Sequence, residues 1–179
     1  QATLQSAMEM FRTFATIDQF NRLVLTSSTQ VPFHIRRHAA RALGISASQI
    51  RVVKPRIGGG VGSKQTGCTE LVPAFVTWTL KKPSYLVYDR HEANNCSTSR
   101  HARDWKVRIG ATKDGIIQVI DMVAVSDAGA YGSHAFTTFT AGEHKSLPLY
   151  NKTKAIRYES NMVYTNHMAG GAFRGYGAT

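Results

Sequence analysis

The sequence predicts an α+β fold with a mixed or antiparallel sheet and helices packed on it. Three observations predict it. Strand-like and helix-like stretches are mixed along the 179 residues without a regular βαβ rhythm. One segment, Asp104 to Ser126, carries an unmistakable hairpin pattern. Apolar residues make up 42% of the chain, enough for one domain with a real core or two small halves sharing a sheet.

In order, Glu9 to Ile17 mixes aromatic and β-prone residues and predicts a strand. Asp18 to Asn21 predicts a turn, and Arg22 to Ser28 a return strand. Thr29 is a candidate cap and Pro32 suits a first helical turn, so a helix is expected to about Leu43, ended by Gly44. After a short turn over Ser46 to Gln49, Ile50 to Val53 predicts a buried strand. Pro55 to Ser63 is a glycine-rich loop. Lys64 to Leu80 predicts a largely apolar helix bent at Pro73, because proline lacks the N–H of one ladder bond. Ser84 to Tyr88 predicts a strand, and Asp89 to Ser97 a short helix or loop. In Asp104 to Ala111, Trp105, Val107 and Ile109 alternate with Lys106 and Arg108. Lys113-Asp114-Gly115 turns the chain, and Ile116 to Ser126 returns. Ala128 to Gly142 is small, polar and without clear period. Ala155 to Thr165 predicts a last strand before a glycine-rich end.

The formal charge is +11. Nucleic-acid binding, a pocket for an anionic cofactor, or a face that meets another subunit would each account for it. The charges are dispersed (Arg36, Arg37 and Arg41; Lys81 and Lys82; Arg100 and Arg103; Lys152 and Lys154), and no nucleic-acid signature accompanies them. Nucleic acid is therefore not expected. Cys68 and Cys96 form no CxxC pair, which favours a reducing, cytoplasmic setting. No apolar run reaches the length of a membrane span. Gln1 in place of Met suggests a fragment, a processed product or a trimmed stretch. His34 and His38 stand four apart without the acid of HExxH, so no metal site is expected from them.

Three segments could carry chemistry. In Arg56 to Gln65, four glycines fall within five positions, between a strand and a helix. Such a loop is either a mobile surface turn or a place where backbone N–H groups and a helix N-terminus meet an anion, with Lys64 adding charge. It fits neither GxxxxGK[ST] nor GxGxxG opening a βαβ unit. Ser27 to Pro32 alone is a plain helix cap. Ala172-Phe173-Arg174-Gly175-Tyr176-Gly177 suits an anion beside a planar group, or a loose terminus.

Taken in order, these segments resemble one family. Ser28-Thr29-Gln30, then Gly58-Gly59-Gly60-Val61-Gly62-Ser63-Lys64-Gln65, then the AFRGYG segment follow the pattern of the molybdenum-binding subunit of xanthine dehydrogenases and aldehyde oxidases. The stretches VPFHIRR, RALG, RVVKPR, DAGAY and YTN support it, and the similarity covers nearly the whole chain. The resemblance implies a single partial molybdopterin-binding domain over residues 1–179. It implies that Gln30 bonds an oxygen ligand of molybdenum. Gly58, Gly59, Gly60, Val61, Gly62 and Ser63 would pass the pterin and metal ligands, and Arg174 and Gly175 would lie against the cofactor. Gln65 would occupy the substrate side and Tyr176 the substrate pocket.

Val61 stands where the family has phenylalanine, Ser63 where it has glycine, and Met10 where it often has proline. Gln65 replaces the glutamate of purine-oxidising members and cannot supply its charge. The resemblance further implies hydroxylation of aldehydes or N-heterocycles with water, on a molybdenum–molybdopterin cofactor. The implied partners are the remainder of the subunit, a small-molecule substrate, and iron–sulfur and FAD domains or subunits. The family's catalytic glutamate lies far downstream, so this chain alone is expected to be inactive. The alternative is a basic anion- or nucleic-acid-binding module.

Overall fold

The computed structural model describes residues 2–177, which form two compact units, each with its own sheet rather than a shared one. The mixed sheets with packed helices match the expected fold class.

The first unit comprises residues 4–97. Its strands are β1 (Arg12–Ile17), β2 (Leu23–Ser27), β3 (Ile50–Val53) and β4 (Ser84–Val87), in the order β3-β2-β1-β4. Neighbours run antiparallel except β2 and β3. Asp18 sets the β1–β2 turn by accepting the N–H groups of Phe20 and Arg22. Helices α1 (Pro32–Leu43) and α2 (Leu71–Leu80) pack on one face. Ala15, Leu23, Leu25 and Ile50 meet Ile35, Ala39, Ala40 and Ala74 there, all buried. The same face turns polar at one end, where Thr13 lies opposite Ser27. Gly44 ends α1 at φ 64°, as expected. Helix α3 (Arg90–Asn95) opens on an Asp89–Glu92 capping box.

Three expectations are corrected in this unit. The first strand begins at Arg12 rather than Glu9, because the N–H and carboxylate of Glu9 are bonded to Gly58. The helix expected from Lys64 begins at Leu71. The carboxylate of Glu70 accepts the N–H groups of Cys68 and Thr69, which holds that stretch out of a helix. Pro73 consequently lies in the first turn of α2, where a missing N–H leaves no ladder bond unmade, and it does not bend the helix.

The second unit comprises residues 2–3 and 98–177 of those described. Strands β5 (Arg103–Ala111) and β6 (Ile117–Gly129) form the expected hairpin, closed by Gly115 at φ 85°. β7 (Ala155–Tyr164) lies parallel to β6. Between them runs α4 (Ala135–Ser146), a helix the sequence reading missed. Thr137, Thr138, Thr140 and Gly142 are weak helix formers, so packing decides. Buried Phe139 sits against the Trp105 ring, and its carbonyl accepts the Tyr158 hydroxyl.

Candidate functional site

The end of β2 is the organising feature of the first unit. Four successive side chains there hold the glycine loop or the groups that hold it. Ser27 donates to Glu70 Oε1 at 2.8 Å, and Ser28 donates to Glu9 Oε2 at 3.0 Å. Thr29 donates to the Lys64 carbonyl at 3.3 Å and accepts the Val31 N–H. The Gln30 N–H donates to that same carbonyl at 2.8 Å, while Gln30 Oε1 accepts the Gly62 N–H at 3.1 Å. Thr29 is therefore no helix cap. Val31 takes the cap position of α1 without any side-chain bond.

Each carboxylate grips one end of the loop segment. Glu9 accepts the Gly58 N–H at 2.7 Å and the Lys64 ammonium at 2.9 Å, and Glu70 accepts the Cys68 and Thr69 N–H groups. Partial burial pushes the Glu9 carboxyl up. The hydrogen bonds from Gly58, Lys64 and Ser28, with the Lys64 charge, outweigh it and hold the group below the usual carboxylate range. The Lys64 side chain is only 1% exposed and spends its charge on Glu9. The expectation that Lys64 adds charge to an anion site is thus overturned. So is the expectation of a helix N-terminus at the loop, which leads instead into the single 3-10 turn Ser63–Gln65. Close by, burial drives the Cys68 thiol up to about 12, so it stays protonated and unreactive.

The loop's own shape follows from two constraints. A Cβ on Gly60 would fall 2.3 Å from Gln30 Oε1, so only glycine admits the amide. Gly59, Val61 and Gly62 all have positive φ, at 94°, 52° and 98°. For β-branched Val61 this is a strained conformation, held because Ser63 bonds the Gly60 carbonyl through both N–H and hydroxyl. Among the described residues, the N–H groups of Gly59, Gly60 and Val61 have no acceptor. Neither has the amide NH2 of Gln30. The acceptor end of that amide is fixed by the Gly62 N–H, so the end left over is a donor. A cluster of neutral donors suits an anionic or oxygen-rich group, and this donor set fits a molybdenum–pterin cofactor. Gln65 is half-buried, and its N–H donates to the Gly62 carbonyl.

Arg174, Gly175 and Tyr176 belong to the second unit. The segment is fixed there by close packing. A Cβ on Gly170 would lie 2.4 Å from the His101 ring, one on Gly171 2.0 Å from Thr98 Oγ1, and one on Gly177 2.3 Å from the Thr138 carbonyl. The Arg174 side chain is exposed, and its carbonyl accepts from Arg100, whose guanidinium stacks 4.0 Å from the Phe173 centroid. The Tyr176 hydroxyl meets Thr137 Oγ1 and lies 3.1 Å from His134 Nδ1. Lys145 donates to the Tyr176 carbonyl at 2.8 Å. Burial, reinforced by the charges of Arg103 and His134, lowers His101 to about 4.

The structure thus brings Gln30 together with Gly58 to Ser63, and anchors Arg174 to Tyr176 on α4 and Arg100. Sequence reasoning missed Glu9, Glu70 and His101. For Glu9 and Glu70 the signal was a single carboxylate in an otherwise uncharged stretch, 49 and 43 residues from a loop or strand partner, and His101, between Arg100 and Arg103, gave none.

The chain is 39% identical over 158 residues to the probable hypoxanthine oxidase XdhD of Escherichia coli (strain K12), covering 88% of this chain and 16% of that protein. It is 37% identical over 172 residues to the putative xanthine dehydrogenase molybdenum-binding subunit XdhA of the same strain, covering 96% and 23%. It therefore spans less than a quarter of the length of either relative. Its fold matches the aldehyde oxidoreductase of Desulfovibrio gigas with a TM-score of 0.87 at 23% identity, over 98% of this chain and 19% of that one. The sequence profile of the molybdopterin cofactor-binding domain matches residues 1–179, and the chain belongs to that family.

Proposed function

We propose that residues 1–179 form a single partial domain that helps hold the molybdenum cofactor of a xanthine dehydrogenase- or aldehyde oxidase-type hydroxylase. The observation that carries this reading is the Gln30 amide. Its oxygen is taken by the Gly62 N–H, so its NH2 is left to donate to an oxygen ligand beside the open N–H groups of Gly59, Gly60 and Val61. When bound, the cofactor supplies the redox chemistry that hydroxylates an aldehyde or N-heterocycle carbon with oxygen from water. The chain's own part is to bind and orient through fixed donors that need no rearrangement during reaction. Gly58, Gly62 and Ser63 shape the loop, Arg174 and Gly175 contribute the second cofactor contact, and Gln65 and Tyr176 lie on the substrate side.

The activity is that of the whole protein, in which these residues supply groups that hold the cofactor. The remainder of the subunit covers apolar side chains that stand exposed here, including Val72, Phe75 and Leu80 of α2. Iron–sulfur and flavin domains or subunits take the electrons. Among the described residues no helix is long and apolar enough to cross a membrane, and the two free cysteines favour the cytoplasm.

The test is molybdenum content and aldehyde or purine turnover of the intact protein, with Gln30→Glu beside it. Wild type should carry molybdenum. Gln30→Glu, which replaces the donor NH2 by an acceptor, should lose about a hundredfold in turnover. An intact wild-type protein free of molybdenum and pterin would sink the proposal.

A further inference from the structure

We infer that Glu9 and Lys64 act as one neutral clamp that sets the glycine loop, and that Lys64 lends no charge to the ligand. A lysine directly after a glycine-rich loop looks like an anion-binding residue, and the geometry assigns it a different task. Its ammonium is buried, 1% exposed, and ends 2.9 Å from Glu9 Oε2. The same carboxylate oxygen accepts the N–H of Gly58, the loop's first glycine, and the hydroxyl of Ser28. The Lys64 carbonyl accepts the Gln30 N–H and the Thr29 hydroxyl. One residue therefore ties the start of the loop through its side chain and the reach of the Gln30 amide through its backbone.

The pair is formally neutral, and the half-exposed Arg12 guanidinium, whose Nε lies 3.4 Å from Glu9 Oε1, is screened by solvent, so the field the loop presents is chiefly that of its N–H dipoles. A buried ion pair that loses one member leaves an uncompensated charge, whereas removing both members leaves none. Lys64 and Glu9 are thus positioning residues, and their effects on the loop must be coupled. A lysine acting directly on the ligand would show no such coupling.

The inference rests on the cofactor reading given above, and the experiment separates the two. In the intact protein, Glu9→Gln, Lys64→Met and the double variant are compared by molybdenum content and by hydrogen exchange of the peptide covering residues 58–65. Each single variant should lower molybdenum content about tenfold and speed exchange of the loop. The double variant should return both to within about twofold of wild type. If Lys64→Met alone keeps full molybdenum and slow exchange, or if the double variant stays as low as Lys64→Met, the clamp is wrong. The second result would assign Lys64 to the ligand. A wild-type protein without molybdenum would remove the cofactor reading, and the exchange data alone would then decide the clamp. Where a single variant is not recovered as folded protein, Glu9→Asp takes its place. It keeps the charge but draws it back from Gly58, and it too should speed loop exchange. Unchanged exchange in Glu9→Asp would count against the clamp.

Discussion

The two glycine-rich segments look alike as sequence and are held by different balances of polar bonds and close contact. Residues 58–62 are held by polar side chains: a carboxylate at the start, an amide near the end, and hydroxyls between. Their glycines give positive φ at Gly59 and Gly62 and admit Gln30 at Gly60. Residues 170–177 are held by close contact at their glycines, with Arg100 and Lys145 donating to the carbonyls between them. At Gly170, Gly171 and Gly177, His101, Thr98 and the α4 backbone occupy the space that a Cβ would need. A stapled loop keeps donors open for a ligand, while a packed one consumes its space. Glycine content alone does not distinguish them.

The largest expected effect tests the packing half of this contrast. Gly129, in the second unit, has φ 64° and a Cβ position 2.3 Å from the Met168 carbonyl. Gly129→Ala should cost about 4 kcal/mol, from backbone strain plus a clash that backbone cannot avoid. Gly59→Ala meets only Ala7 Cβ at 3.8 Å, so strain alone remains. Its cost should be about 1 kcal/mol. Denaturant unfolding of both variants measures the difference. Equal costs would erase the contrast.

Acid should separate the units next. His101 is buried and neutral, with its pKa lowered from 6.5 to about 4 by burial first and then by Arg103 and His134. As pH falls through 6.5 the unfolded chain takes up a proton that the folded one refuses until about 4. Stability is therefore lost across that window, by about 3 kcal/mol in all, and the loss is complete below it. In the first unit, exposed His38 shifts in the same direction. Glu9, being lowered, gives up its contribution only below the ordinary carboxylate range. Stability measured against pH, with His101→Asn beside wild type, should show a slope between pH 6.5 and 4 that the variant flattens. An unchanged slope would remove His101 from the account.

Glu70 tests the stapled half. Its carboxylate serves Ser27, Cys68 and Thr69, and its site is buried. Glu70→Gln keeps one acceptor oxygen for the Cys68 and Thr69 N–H groups, removes the charge that strengthens those bonds and turns an NH2 toward the Ser27 hydroxyl, at about 2 kcal/mol. The comparison predicts that the damage stays near residues 66–70, and hydrogen exchange of Cys68 and Thr69 would locate it.

What the sequence made legible follows the range of the interactions. The β5–β6 hairpin shows in the alternation of Trp105, Val107 and Ile109, because period two is a local property. Helix α1 shows through Pro32 and Gly44. The glycine loop and Gln30 were visible as motifs. Their holders were not, because Lys64 and Glu9 are 55 residues apart and no local pattern connects them. Helix α4 was hidden for the opposite reason: its threonines argue against a helix locally, and the contacts of Phe139 override them.

Thr29 gives the smallest effect and the sharpest discrimination. Read as sequence it is a cap for α1, and a lost cap costs about 1 kcal/mol. Read in the structure it bonds the Lys64 carbonyl and the Val31 N–H, and losing these in Thr29→Val should also cost about 1 kcal/mol, since the isosteric valine leaves no cavity. The size of the change therefore decides nothing, and its location decides everything. A cap would fray the first turn of α1, raising exchange at Phe33 to Ile35. A loop holder would leave that turn protected and raise exchange at Gln30 and through residues 58–65. The second pattern is expected, because the His34 and Ile35 N–H groups already reach the Val31 carbonyl without help from Thr29.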